Sequence, residues 1–322
     1  PLEPLDRLSE LLGGPRVFIK RDDCTGLAFG GNKTRKLEFL IADAVEKHAD
    51  TVITAGGLQS NHVRQTAAAA NKVGLACHLV LQRYVDWKDR AYLESGNLLL
   101  DSMLGATMHF CAPHASRDIE MKKLGQSLSA EGASPYIIPG GGANRIGGLG
   151  YAHAAVELLA QAKEMSIEIG HVVLASSSGS SQGGLIAGFK VQSSDVQVIG
   201  IDVDVPGPAV AQQVAAIARG TCELLGFDVE DEAELVQVVD GYGGNGYGYP
   251  TDKMIEACHL MATLEGIILD PVYSGKAMAG LIDLIRRGEL RSDRAVVFIH
   301  TGGLPGVFAY PSLFPRVAPE HI

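Results

Sequence analysis

Short β-type runs at 17–20, 51–54, 78–81, 136–138, 172–175, 196–201 and 295–300 alternate with helical apolar periodicity at 33–48, 61–73, 93–104, 148–162, 183–191, 209–225, 251–265 and 276–287. Regular strand–helix alternation packs as parallel sheet with helices on both faces, because each crossover must return the chain to the same sheet. The helical stretches carry the apolar side this needs; one aligns Ala209, Val210, Val214, Ile217, Ala218 and Leu225. A chain of 322 residues is long for one simple core, and two lobes are the expectation. The reading is α/β with two domains, each a mainly parallel sheet flanked by helices. A small domain spans 46–147, and a large one combines 1–45 with 148–322. The run Gly140-Gly141-Gly142 is the candidate hinge.

Glycine accounts for 39 residues, and most of its clusters follow β-type runs, where α/β enzymes place ligand-contacting turns. The formal net charge of −10 argues against a nucleic-acid or anionic-membrane surface. No apolar run reaches the ~18 residues that suggest a bilayer span. Five scattered cysteines, Cys24, Cys77, Cys111, Cys222 and Cys258, fit a reducing compartment and have no metal-type spacing. The cytoplasm is the expected location, and no metal is expected.

Chemistry concentrates in a few turns. In Phe29-Gly30-Gly31-Asn32-Lys33-Thr34-Arg35 a glycine loop opens a helix. A lysine held there is opposed by free N–H groups and the macrodipole, loses its proton more readily, and can attack a carbonyl. Gly56-Gly57-Leu58-Gln59-Ser60-Asn61-His62 also joins a strand to a helix. Its polar residues either cap that helix or serve an anion at its N-terminus. Ser176-Ser177-Ser178-Gly179-Ser180-Ser181-Gln182-Gly183-Gly184 reads as a lysine-free phosphate cradle, with Gly183 and Gly184 permitting close ligand approach. Further turns are Tyr242-Gly243-Gly244-Asn245-Gly246-Tyr247-Gly248-Tyr249, Asp270-Pro271-Val272-Tyr273-Ser274-Gly275-Lys276 and His300-Thr301-Gly302-Gly303. A nucleotide P-loop is excluded by register, since Asn32 intervenes between Gly31 and Lys33.

Together and in this order, the motifs resemble the pyridoxal-phosphate enzymes of the tryptophan-synthase-β fold type (fold type II). Within that type they are similar to the branch holding D-cysteine desulfhydrase and 1-aminocyclopropane-1-carboxylate deaminase. The resemblance runs from Pro1 to about Tyr310. It implies pyridoxal 5'-phosphate as cofactor, with Lys33 as the Schiff-base lysine and Asn61 at the phenolic oxygen. Ser178, Gly179, Ser180 and Ser181 would hold the phosphate, and Thr301 would face the pyridine nitrogen. Ser60, Asn61, His62 and Tyr84 match substrate-binding positions. Ser60, Tyr247 and Tyr273 join Lys33 as catalytic candidates. A homodimer acting on a small amino acid is the implied assembly.

The deaminase branch resembles a strong electron sink, with a glutamate after the Val-Tyr pair and a leucine before the final Gly-Gly. This chain has Ser274 and Thr301 there. A hydroxyl beside the ring nitrogen stabilises a carbanion less, which favours α,β-elimination of a good leaving group. The implied reaction turns D-cysteine into pyruvate, ammonia and hydrogen sulfide. Alternatives are L-cysteate sulfo-lyase chemistry, with Arg83 either meeting the sulfonate or solvated, and opening of 1-aminocyclopropane-1-carboxylate. A non-catalytic anion-binding α/β protein would keep the glycine turns without needing Lys33.

Overall fold

A computed structural model of the chain describes residues 1–83, 85–204, 207–228, 236–290 and 293–314. Its strands are β1 (Leu2–Pro4), β2 (Val17–Arg21), β3 (Thr51–Gly57), β4 (Ala76–Gln82), β5 (Thr107–Cys111), β6 (Pro135–Ile137), β7 (Ile169–Ser176), β8 (Gln197–Asp202), β9 (Gln237–Val239) and β10 (Ala295–His300). Its helices are α1 (Asp6–Leu12), α2 (Asn32–Glu46), α3 (Asn61–Val73), α4 (Ala91–Glu94), α5 (Gly96–Met103), α6 (Arg117–Ala130), α7 (Arg145–Glu164), α8 (Ser180–Val191), α9 (Gly207–Leu224), α10 (Asp252–Leu260), α11 (Ser274–Arg286) and α12 (Leu304–Val307).

Two sheets form. One is ordered β5-β4-β3-β6 and is wholly parallel; the other is ordered β1-β2-β10-β7-β8-β9 and is parallel except for β1. One face of the larger sheet packs on α10 and α11 through Met254, Met278, Leu281 and Ile282; the other packs on α7, α8 and α9 through Tyr151, Leu158, Leu185 and Val214. Central strands such as β7 and β10 read as continuous apolar runs because both faces are covered. The smaller sheet carries Leu37, Leu40 and Ile41 of α2 and Val63 and Ala67 of α3 in one cluster with Val52, Leu79 and Leu81. The boundary expected at residue 46 therefore falls at the end of a helix whose apolar side packs with the smaller sheet.

Several elements differ from the sequence reading, each for a local reason. The helix expected over 93–104 breaks between Ser95 and Gly96, because Gln59 reaches into the chain there. Its Nε2 donates to the carbonyls of Tyr92 (2.7 Å) and Ser95 (3.0 Å), and its Oε1 accepts from Asn97 N at 2.8 Å. Gly96 has φ +62, and a Cβ there would lie 2.4 Å from Gln59 Oε1. Helix α7 starts at Arg145 rather than 148, since the Asn144 side chain accepts from Gly147 N at 2.8 Å. Beyond α10 the chain widens into a π-helical turn over Met261–Glu265. Three strands (β1, β5, β9) and three helices (α1, α6 and the four-residue α12) were not legible. β1 and β9 are three residues long, β5 is largely solvent-facing, and α6 buries only Met121 and Gly125. Among the described residues no helix is long and apolar enough to cross a membrane.

Candidate active site

The C-terminal ends of β3, β7, β8 and β10 border one cleft of about 520 Å³, the end at which α/β sheets hold ligands. Lys33, Ser60, Asn61, His62, Ser178, Gly179, Ser181, Tyr247, Tyr273 and Thr301 all line it. Tyr84 lies outside the described residues. Ser180 is buried, and its hydroxyl donates to Gly142 O at 3.1 Å, which leaves its backbone at the start of α8 as its share in a cradle.

Lys33 arrives through four consecutive residues with positive φ: Ala28 (+44), Phe29 (+68), Gly30 (+64) and Gly31 (+127). For Ala28 and Phe29 this conformation costs roughly 1–2 kcal/mol each, and tertiary bonds offset it. Gly31 N donates to Asp22 O at 2.9 Å and Asn32 N to Thr301 O at 3.0 Å. The Asp22 carboxylate is itself fixed by Arg35 (2.8 and 2.9 Å) and by the Tyr151 hydroxyl (2.6 Å). Burial and the nearby Arg64 cation lower the Lys33 amine to about pKa 8, with Asp270 pulling the other way. That amine donates to Asn32 Oδ1 at 3.2 Å. A second amine was missed in the sequence: Lys36 is buried one helical turn on, donates to Gly141 O at 3.2 Å, and is held well below the usual lysine value by burial and by Lys33.

On the smaller sheet, the Ser60 hydroxyl makes no capping bond to α3, although its backbone occupies the cap position. The side chain lines the cleft instead. His62 Nε2 lies 2.8 Å from Thr54 Oγ1, and burial holds the ring neutral. Asn61 Oδ1 accepts from Arg64 Nη1 at 3.0 Å and Asn97 Nδ2 at 2.9 Å. With its oxygen taken, the amide presents its NH₂ elsewhere. Gln59 is spent on the α4–α5 break and does not line the cleft.

On the larger sheet, Ser178 and Ser181 face the cleft at the start of α8, and Ser181 Oγ accepts from Asn32 Nδ2 at 3.0 Å. Gly183 and Gly184 serve helix packing rather than ligand approach: a Cβ on them would lie 2.8 Å from Val214 O and 2.3 Å from Gly148 O. The Tyr273 hydroxyl donates to that of Tyr247 at 2.7 Å. Lys276, fully buried, donates to Val203 O (3.1 Å), Gly243 O (2.7 Å) and Gly246 O (3.1 Å), pinning the glycine loop that carries Tyr247. Ser274 is turned away, its hydroxyl donating to Asp270 Oδ1 at 2.6 Å. Arg83 pairs with Asp86 on the surface, and it is Arg117, from the first turn of α6, that lines the cleft.

Contrary to a motif reading that finds no G-x-S-x-G elbow, Gly179-Ser180-Ser181-Gln182-Gly183 satisfies that pattern between a strand and a helix. The Ser181 hydroxyl faces Asn32 and Tyr151 rather than a histidine among the described residues, so the arrangement lacks the base a serine nucleophile needs. The donor set suits a phosphorylated aldehyde instead. A lowered lysine would meet the carbonyl, hydroxyls and helix N–H groups with Lys36 would meet the phosphate, and the Asn61 NH₂ would meet a phenolic oxygen.

The profile of the family described as pyridoxal-phosphate dependent enzyme matches residues 1–302. D-cysteine desulfhydrase of Salmonella schwarzengrund (strain CVM19633) is 44% identical over 310 residues, covering 96% of this chain and 93% of that one. Its counterpart in Salmonella typhi is 43% identical over the same coverage. A crystal structure of an ACC deaminase homologue superposes with a TM-score of 0.87 at 39% identity, covering 98% of this chain and 93% of that chain. A pyridoxal 5'-phosphate-dependent aspartate racemase, at 17% identity and TM-score 0.65 with 94% and 89% covered, shares the fold.

Proposed function

We propose, for a chain that belongs to the family of pyridoxal-phosphate dependent enzymes, that its reaction is the α,β-elimination of D-cysteine to pyruvate, ammonia and hydrogen sulfide. The observation that carries this reading is that Lys33 and Thr301 line the same cleft. The amine marks where the cofactor is held; a hydroxyl rather than a carboxylate at Thr301 suits elimination of a leaving group better than opening of a ring.

When bound, pyridoxal phosphate supplies an aldehyde that condenses with amines and a ring that delocalises the electrons left by removal of the Cα proton. Lys33 would hold it covalently, Asn61 would meet its phenolic oxygen, and Ser178, Gly179, Ser181, the Ser180 backbone and Lys36 would meet its phosphate. Thr301 would stand toward the ring nitrogen. Ser60 and the first N–H groups of α3 take the substrate carboxylate, where neutral His62 adds no competing charge. Once released, the Lys33 amine accepts the Cα proton, a task suited to a group near neutrality. The bond from Cβ to sulfur breaks with its electron pair going to sulfur. The Tyr273–Tyr247 pair supplies the proton that the departing sulfur takes up.

The test is a substrate panel on cofactor-loaded protein. Sulfide and pyruvate from D-cysteine support the reading; sulfite from L-cysteate or α-ketobutyrate from 1-aminocyclopropane-1-carboxylate in its place replaces it. Borohydride reduction followed by peptide mass spectrometry checks that the cofactor is on Lys33. We further propose a cytoplasmic homodimer, checked by light scattering, and a 46–147 unit that closes on the rest of the chain. Gly141 and Gly142, at φ +69 and +63, support a hinge at its edge.

A further inference from the structure

Arg64 has no part in the scheme above, yet it is fully buried beside the cleft. Burying a guanidinium is costly unless its donors are used, and here they are used on the site itself. Nη1 bonds Asn61 Oδ1 and Asn97 Oδ1, and Nη2 bonds Gly30 O at 3.0 Å in the loop that delivers Lys33. Asn97 completes the frame: its Nδ2 donates to Gln59 O and Asn61 Oδ1, both at 2.9 Å. An arginine donates and never accepts, so Asn61 has to turn its oxygen to Arg64 and its NH₂ away. The facing counter-charge is Asp101 on α5, fully buried, with neither carboxylate oxygen hydrogen-bonded among the described residues. Burial pushes Asp101 up and Arg64 down, and the charge of each opposes the other's shift. The other charged or titratable groups around Lys33 are Lys36 on α2, His62 on α3 and Asp270 ahead of α11.

We propose that Arg64 is a positioning residue, resting on the function proposed above: it aims the Asn61 NH₂ at the cofactor's phenolic oxygen and sets a positive field over that oxygen and the Lys33 nitrogen. The geometry separates the two effects. The fork bonded to Asn61 and Gly30 sets orientation, whereas the charge favours an anionic oxygen and opposes a proton on nitrogen.

The experiment is a pH titration of the visible absorbance of the holoenzyme, with the cofactor dissociation constant measured alongside. R64M would strand the Asp101 carboxylate, so the pair variant R64M/D101N removes the cation without leaving a buried charge uncompensated. Its midpoint is expected to rise by about one pH unit, with cofactor affinity falling about tenfold. D101N alone keeps the cation and removes its counter-charge, so its midpoint is expected to fall. R64K keeps the charge but not the fork, and weakens cofactor binding with little change of midpoint. Opposite shifts in D101N and the pair variant are a result that loosened packing does not produce. If the pair variant does not fold, an unmoved midpoint in D101N overturns the proposal. A normal wild-type band with coincident midpoints in all variants overturns the positioning role alone. A wild type that takes up no cofactor overturns the functional reading and this role with it.

Discussion

The backbone N–H of Asn32 donates to the carbonyl of Thr301 at 3.0 Å, joining the turn that carries Lys33 to the end of β10 across most of the chain. The contact needs bare backbone on both sides: a Cβ on Gly302, at φ +88, would lie 2.6 Å from Gly31 Cα. Gly302→Ala is therefore expected to cost about 2–4 kcal/mol from overpacking and left-handed strain and to weaken cofactor binding. Gly306→Ala, where a Cβ meets nothing within 4 Å, is the control and should stay within about 0.5 kcal/mol. Denaturant melts and cofactor titrations of the two variants make the comparison.

Lys33 gives the cofactor-free protein a pH signature. Its folded pKa is lowered to about 8 from the ordinary 10.5, so between those values the unfolded chain binds more protons. Stability then rises with pH across that window, and the cost of burying the charged amine is fully present below about 8. Lys276, lowered to about 8 mainly by burial, acts in the same direction. Urea melts from pH 7 to 10 should show this slope, and Lys33→Met should flatten it in part while removing the capacity for cofactor attachment.

Much of the site was legible because backbone turns write themselves in glycine. Lys33, Asn61, Ser178 and Thr301 sit close in sequence to Gly31, Gly56, Gly179 and Gly302 at strand or helix ends, where left-handed or crowded backbone leaves few residue choices. What stayed hidden acts through helix interiors. Lys36 and Arg64 lie inside helical periods, where a charged residue looks like a solvated one until the packing is known. Arg117 stands on α6, which shows almost no apolar stripe. Asn97 acts only because Gln59 breaks a helix that local periodicity would continue. The N-cap of α7 at Asn144 was readable and would have moved its start to Arg145.

Lys276→Met tests how the Tyr247 loop is held. The variant leaves the carbonyls of Val203, Gly243 and Gly246 without their ammonium donor, and unsatisfied buried groups cost about 1–3 kcal/mol each before relaxation. We expect a net loss of about 2–4 kcal/mol and a kcat reduced more than cofactor affinity, because Tyr247 is displaced while the Lys33 loop is not. Thermal melts, kcat and the cofactor dissociation constant together distinguish this from general unfolding.

Arg117 and Arg83 divide the question of anionic substrates. Arg117 lines the cleft, whereas Arg83 bonds Asp86 at 2.8 Å on the surface. If the protein releases sulfite from L-cysteate at all, Arg117→Gln should reduce that rate about tenfold or more, the scale of a lost charge-assisted bond. D-cysteine turnover should change much less. Arg83→Gln should leave both substrates unaffected.

The Tyr273 hydroxyl donates a hydrogen bond to that of Tyr247, which keeps its own proton. In the proposed reaction the departing sulfur needs a proton, and a positioned acid contributes about 10²–10⁴-fold. Tyr247→Phe should lower D-cysteine turnover within that range, and Tyr273→Phe should do less, since Tyr247 keeps its own proton. β-Chloroalanine separates leaving-group protonation from every other role, because chloride departs without a proton. Both variants should process it at near wild-type rates. An equal loss on the two substrates would instead assign the pair to substrate placement.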